Sequence, residues 1–316
     1  MSITIRPLTT LAECAHFQKV EQLVWGTDEE GMMPTHVLIT LAQNGGLVMG
    51  AFAPDGPAAT GGMVGIVGGW LGSGYAPGSA AGAPEQLKFC SHMAGVLTRW
   101  QRQRVGLRLK LAQREWVLAQ GLTEWITWTY DPLFRPNAAF NIHRLGATCA
   151  TYVRDLYGEM TDVLNAGGPS DRFKVDWWVR SPRVVDAVAR AAVALTDTEP
   201  ATDASRDTAA RATPDATHPM AQLRFPGLRV LASVPAGAFR APPTAPLVLD
   251  GAPLALPIPD DIAALRRADR GLALAWRHTV RAQMEAAFAA GYTVVDCLHI
   301  DGRQWCYILT RDDPTA

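Results

Sequence analysis

The run LKFCSHMAGV, residues 87–96, combines small and apolar residues in a way that suits a buried central strand. A basic stretch follows it, then a helix running to Gly121 as a C-cap, then a second strand, TEWITWTY. This strand–helix–strand unit is the frame on which the rest is hung. Upstream, ITIRPL opens as a short strand, and LAECAHFQKVEQLVW repeats apolar residues at helical spacing through Leu11, Ala15, Val20, Leu23 and Val24. HVLITLAQ, GGLVMGAF and GGMVGIVGGW read as successive strands, with Asn44-Gly45 as a hairpin turn. Downstream, NAAFNIHRL is a short helix ending at Gly146, TCATYVRDLY is a strand, and DRFKVDWWV closes the set. The order βα, antiparallel strands, then βαβαβ predicts a mixed α/β sheet flanked by helices.

The segment of residues 195–222 is rich in Ala, Thr, Asp and Pro and poor in large apolar residues, so it reads as a flexible linker. It divides the chain into a first domain of residues 1–194 and a second of residues 223–316. In the latter, Pro259-Asp260-Asp261 starts a helix, a second helix ends near Gly291, and TVVDCLHI and QWCYILT flank DGR as a hairpin. This is a small α+β accessory module. No apolar run has signal-peptide length, and the glycine-rich segment after residue 60 is too broken for a membrane span, so a cytoplasmic protein is expected. Cys14, Cys90, Cys149, Cys297 and Cys306 form no CxxC pair, and no HExxH is present, so isolated thiols are expected and no metal site.

The basic stretch TRWQRQRVGLRLKLAQREW, residues 98–116, holds five basic residues between Arg99 and Lys110 and no acid there, in a chain of formal charge −1. With no global attraction to polyanions, recognition of an anion has to be local. A turn from strand to helix exposes unpaired N–H groups at the positive end of the helix dipole, and arginines add bidentate donors. The physics favours a pyrophosphate held by the backbone between Gln101 and Gly106, which implies a diphosphate-bearing cofactor of unspecified kind. A solvated helix face is the plain alternative. Trp100 alone among the arginines argues against a nucleic-acid groove.

VLTRWQRQRVGLRLK resembles the acyl-CoA-binding motif of the GNAT acyltransferase superfamily, a strand end followed by Q/R-x-x-G-x-G/A. In that register Gln101 takes the first position, Arg104 stands where the first glycine is usual, and Gly106 is the last. The stretch WTYDPLFRPNAAFNIHRLGAT, residues 128–148, is similar to the superfamily's later strand and helix, with Asn137 or Asn141 beside the pantetheine and a Leu145-Gly146 ending. Ile142 occupies the place where many members carry a tyrosine acid. SHMAGV, LKLAQR, WTYDPL, NAAFNIHRLGA, YGEMTDVLNAG and SDRFKVDW together resemble a bacterial subfamily of acetyltransferases, some of whose relatives are linked with N-succinylation of amino acids. The resemblance spans residues 1–185. It implies a GNAT-like fold and an acyl-CoA-dependent N-acyltransferase that uses acetyl-CoA or succinyl-CoA as co-substrate without metal. The acceptor it implies is a small-molecule amine such as an amino acid, with neither nucleic acid nor membrane as partner and a homodimer as the expected association. Met93, Val96, Gln101, Arg102, Gln103, Arg104, Val105, Gly106, Asn137 and Asn141 would bind the cofactor.

Acyl transfer to an amine needs a proton acceptor for the amine, a donor to polarise the thioester carbonyl, and a proton for the departing thiolate. His92, four residues before Val96, is either a general base or a hydrogen-bonded core histidine. Asp131 faces a cleft or forms a turn before Pro132. Tyr130, Tyr152 and Tyr157 are candidate thiolate donors or packing residues, with Tyr157 carried forward as the donor. Glu29 and Glu30 lie in a loop suited to acceptor binding or are solvated turn residues. Arg172 is the best candidate to grip a carboxylate, or else pairs with Asp171 or Asp155. Trp125, Trp128, Trp177 and Trp178 are expected in the core and sheet surface. Catalytically degenerate CoA sensing, and an interaction role for the C-terminal module, are the rival readings.

Overall fold

The computed structural model describes residues 2–26, 31–158, 169–196, 215, 216 and 218–311. It has a mixed α/β fold in two compact units, which meet in sequence at Trp128 and Thr129. The compositional break at residues 195–222 therefore separates two stretches of the second unit, and most of that segment lies outside the described residues.

In the first unit, β1 (Thr4–Pro7), β2 (Leu47–Phe52), β3 (Met63–Gly74), β4 (Gln86–Val96) and, as far as Trp128, β5 (Trp125–Tyr130) lie side by side in that order. All neighbours are antiparallel except β4 and β5, which run parallel through the crossover helix α3 (Val105–Gln120). Helix α1 (Leu11–Trp25) begins at a capping box, in which Thr10 Oγ1 accepts from Glu13 N and Glu13 accepts from Thr10 N. It ends on Gly26 in the left-handed region, with φ 67°. Its sheet-facing stripe sets Phe17 near Gly68, and Val24 and Trp25 over Gly95, where a Cβ would come within 2.7 Å of the Trp25 ring. Helix α3 packs Val105 and Leu109 against Gly65.

One element of the first unit differs from its sequence reading. HVLITLAQ is not a strand but most of helix α2 (Thr35–Gln43), and Asn44-Gly45 joins that helix to β2 rather than two strands. The β-branched Thr35, Val37, Ile39 and Thr40 argue for a strand, but Val37, Leu38, Leu41 and Ala42 fall on one helical face. The Pro34 carbonyl starts the helix by accepting from the amides of Val37 and Leu38.

The second unit opens with α4 (Arg135–Ala138), continued by a wider turn over Ala139–Arg144, and carries β6 (Thr148–Val153) paired antiparallel with β7 (Arg172–Trp178). Helix α5 (Pro182–Thr196) follows, then the two-residue strand β8 (Asp215–Ala216) and helix α6 (His218–Arg224). The remaining strands are β9 (Arg229–Val230), β10 (Val234–Ala236), β11 (Phe239–Ala241), β12 (Leu254–Ile258), β13 (Thr293–Ile300) and β14 (Gln304–Thr310). Strands β7, β6, β13, β14, β12 and β9 lie in that spatial order, so the C-terminal strands extend the sheet begun by β6. The hairpin expected at DGR joins β13 to β14. Asp261 and Asp269 cap helices α7 (Ile262–Ala268) and α8 (Arg270–Ala289). The five cysteines are free, and no group of three His, Cys, Asp or Glu side chains fit to hold a metal occurs among the described residues. No helix among the described residues is long and apolar enough to cross a membrane.

Candidate functional site

The first unit gathers three features around the end of β4. The first is the turn between β4 and α3. Leu97 N still donates to Val64 O, and a single 3-10 turn over Thr98–Trp100 consumes the amides of Trp100 and Gln101. Gln101 was expected to offer its amide to an anion. That amide instead donates to the Leu97 and Thr98 carbonyls, each at 3.2 Å, while the Gln101 side chain covers Val96 O at 3.0 Å. Beyond it the chain changes character. Among the described residues, the N–H groups of Arg102, Gln103, Arg104, Val105, Gly106 and Leu107 make no hydrogen bond of good geometry, although residues 101–104 form a turn. Arg102 and Arg104 both hold left-handed backbone, at φ 62° and 63°. Arg104 thus holds a backbone conformation that glycine takes without strain. Successive amides bent by left-handed residues at a helix N-terminus form an anion-binding nest. A Cβ on Gly106 would only touch Val96 Cγ2 at 3.7 Å, so protein packing does not demand glycine there.

The second feature is the open edge of β4. It pairs with β5 only at Phe89↔Ile126 and Cys90↔Thr127, then runs on from Ser91 to Val96 without β5. Beyond those two pairs the strands are no longer hydrogen-bonded to each other, and this unpaired opening is the fork. The third feature is a bulge at its apex. Gly68 pairs with Met93 and Gly69 with Ser91, so His92 is the extra residue on β4. The His92 ring lies 5.0 Å from that of Trp70, centroid to centroid, tilted by 39°. The residue is exposed, but the surrounding protein depletes solvent enough to lower the imidazole below its ordinary 6.5, which leaves it neutral at pH 7. Of the two readings made for His92, a buried core position is excluded. Met93 is half-buried beside it.

Ser91 turns towards α3. There Lys110 Nζ donates to Ser91 Oγ at 3.0 Å and to Gln113 Oε1 at 2.9 Å, and sits 3.6 Å from the centre of the Trp128 ring. Lys110 is 3% exposed, and burial brings its pKa down from 10.5 to about 7. The sequence reading missed this residue, although Gly106, Lys110, Gln113 and Val117 share one helical face. It also missed Glu21 on the sheet-facing stripe of α1. That carboxylate accepts from Met33 N, and burial raises its pKa to about 7.

Apart from Glu29 and Glu30, the other expected residues belong to the second unit. Asp131 is buried; it accepts from Leu133 N at 2.9 Å, from Arg277 at 2.7 Å and from Arg266 at 3.1 Å. Burial would raise its pKa, but the Arg277 charge and hydrogen bond outweigh this and hold it below 3.8. Asp131 is therefore an ionised turn and ion-pair residue, poorly suited to take a proton. Exposed Tyr157 exchanges a 2.9 Å hydrogen bond with Thr129 Oγ1, and the Arg172 guanidinium lies 5.3 Å from its ring centre. Arg172 is buried and donates to the Asp171 carbonyl, while Arg281 and Tyr152 occupy the Asp171 carboxylate. Tyr130 is hydrogen-bonded to Tyr307 in the core. Asn137 is half-buried and Asn141 buried within the wide turn. Glu29 and Glu30 lie outside the described residues.

No family model matches the sequence, and no curated protein matches it. Among solved structures, the chain is similar to Arabidopsis thaliana NAA60 in complex with a bisubstrate analogue, at 12% identity and a TM-score of 0.43 over 56% of this chain and 98% of that one. It is also similar to Chaetomium thermophilum Naa20 in complex with a bisubstrate analogue, at 14% identity and a TM-score of 0.43 over 58% and 89%. A third is the ribosomal-protein-S18-alanine N-acetyltransferase from Escherichia coli, at 15% identity and a TM-score of 0.40 over 55% and 92%.

Proposed function

We propose that this chain is a GNAT-like, acyl-CoA-dependent N-acyltransferase that moves an acetyl or succinyl group to the amine of a small molecule such as an amino acid. The observation that carries the reading is the nest from Arg102 to Leu107, set at the mouth of the β4–β5 fork. Its free amides and arginines suit a diphosphate, and the five steps of β4 from Val96 back to Ser91 measure about 16 Å, on the scale of an extended pantetheine arm. The unpaired edge of β4 supplies amides to hold that arm and to polarise a thioester carbonyl. His92, neutral at the bulge, is the candidate to accept the proton of the attacking amine. Holding amine and thioester together supplies much of the acceleration, and the acyl group passes directly from sulfur to nitrogen. Tyr157 as proton donor, Arg172, Glu29 and Glu30 as acceptor contacts, Asn137 and Asn141 as cofactor contacts, and a cytoplasmic homodimer belong to the same proposal.

Calorimetric titration with acetyl-CoA and succinyl-CoA, paired with a thiol-release screen over amino acids, tests it. Saturable binding with turnover is expected, Arg104→Glu should weaken the acyl-CoA KM at least tenfold, and His92→Gln should flatten the acid limb of the pH–rate profile. Absence of acyl-CoA binding sinks the reading. Arginine at the glycine position and the fixed ion pairs of Asp131 favour a second reading, a CoA sensor, for which tight binding without turnover would speak.

A further inference from the structure

Ser91 stands at the apex of the fork, the first β4 residue beyond the last pair with β5, as Trp128 is the first on β5. Lys110 bridges the two, donating to Ser91 Oγ and resting on the Trp128 ring. Ser91 is 4% exposed, yet among the described residues its hydroxyl donates to nothing. A buried hydroxyl whose oxygen is engaged by a charged donor keeps a polarised proton to give, and a buried donor is seldom left without an acceptor. An acceptor entering along the fork would meet it.

On the acyl-CoA reading, from which this inference follows, we infer that Ser91 donates its hydroxyl proton to the CoA sulfur at the fork apex and that Lys110 is the positioning residue that orients and recharges it. When the carbon–sulfur bond breaks, the electron pair stays on sulfur. The thiolate takes the Ser91 proton, Ser91 takes one from the Lys110 ammonium, and the neutral amine regains a proton from solvent. On this inference Ser91, not Tyr157, protonates the departing thiolate. The side chains that meet Lys110 include Ser91 from β4, Gln113 from its own helix and Trp128 from β5. The nearest titratable groups along β4 are Lys88, Cys90 and His92. A lysine near neutrality can both give and recover a proton at physiological pH.

The test compares CoA with desulfo-CoA, which lacks the sulfur, by calorimetry on the full chain between pH 6 and 9. Wild type should bind CoA about tenfold more tightly than desulfo-CoA, the range of a hydrogen bond to a charged acceptor. Ser91→Ala, a small change that leaves β4 intact, should erase the preference, Ser91→Thr should restore it, and Lys110→Met should remove its pH dependence. Equal binding of the two ligands by wild type, or an undiminished preference in Ser91→Ala, overturns the relay while leaving the cofactor reading in place. If wild type binds neither ligand, the cofactor reading falls and the relay with it.

Discussion

Arg102 and Arg104 pay for the nest with left-handed backbone, which costs a side-chain-bearing residue about 1 kcal/mol or more. Arg104→Gly should therefore stabilise the protein by roughly 1 kcal/mol, seen as a raised urea midpoint, while keeping the amides in place. A lower midpoint would mean the arginine side chain contributes more packing than the backbone loses. Glu21 makes a second prediction at this scale. Its folded pKa of about 7 lies above the ordinary 4.5, so the folded state holds the proton more tightly. That stabilisation is complete below pH 4.5 and is lost as pH rises through 7. Glu21→Gln, which keeps an acceptor for Met33 N, should flatten the slope of melting temperature between pH 4.5 and 7. An unchanged slope would assign the pH dependence elsewhere.

At the scale of elements, the β3–β4 bulge is what brings Ser91 and His92 to the fork, and Gly69 permits it. A Cβ there would lie 2.3 Å from Cys90 O and 2.6 Å from the Phe89 ring. Gly69→Ala should cost roughly 1–3 kcal/mol or force the bulge out of register. Denaturant unfolding measures the first, and loss of CoA binding with retained helicity would report the second. The bulge was not legible in the sequence, because a run such as SHMAGV states its face alternation but not which residue its partner strand skips. The turn from strand to helix was legible, since the spacing from Val96 to Gly106 is a local property of strand end and helix start. Helix α2 was misread where β-branched residues mask a helical face. Lys110 went unseen because a lysine in a basic run looks solvated until Ser91 and Trp128, distant in sequence, are brought over it.

At the scale of the whole molecule, the compositional break at residues 195–222 suggests that the C-terminal stretch is removable, but the strand order gives it another role. Strand β13 pairs with β6 at Val294↔Cys149, and Tyr307 on β14 bonds both Tyr130 and the Pro132 carbonyl. Helix α8 delivers Arg277 to Asp131 and Arg281 to Asp171, and both carboxylates are buried. Truncation after residue 222 removes all of these partners. It would leave two buried carboxylates without cations, a loss of about 3–5 kcal/mol for each pair broken on one side, and would bare the edge of β6. The truncated chain should therefore lose the native near-ultraviolet dichroism of Tyr130, Tyr152 and Trp177 and aggregate, although the first unit carries its own sheet and helices. Restoring solubility by Asp131→Asn with Asp171→Asn in the truncated chain would assign the failure to the stranded charges. A truncated protein that unfolds cooperatively at the wild-type midpoint would show that residues 223–316 are an independent module after all.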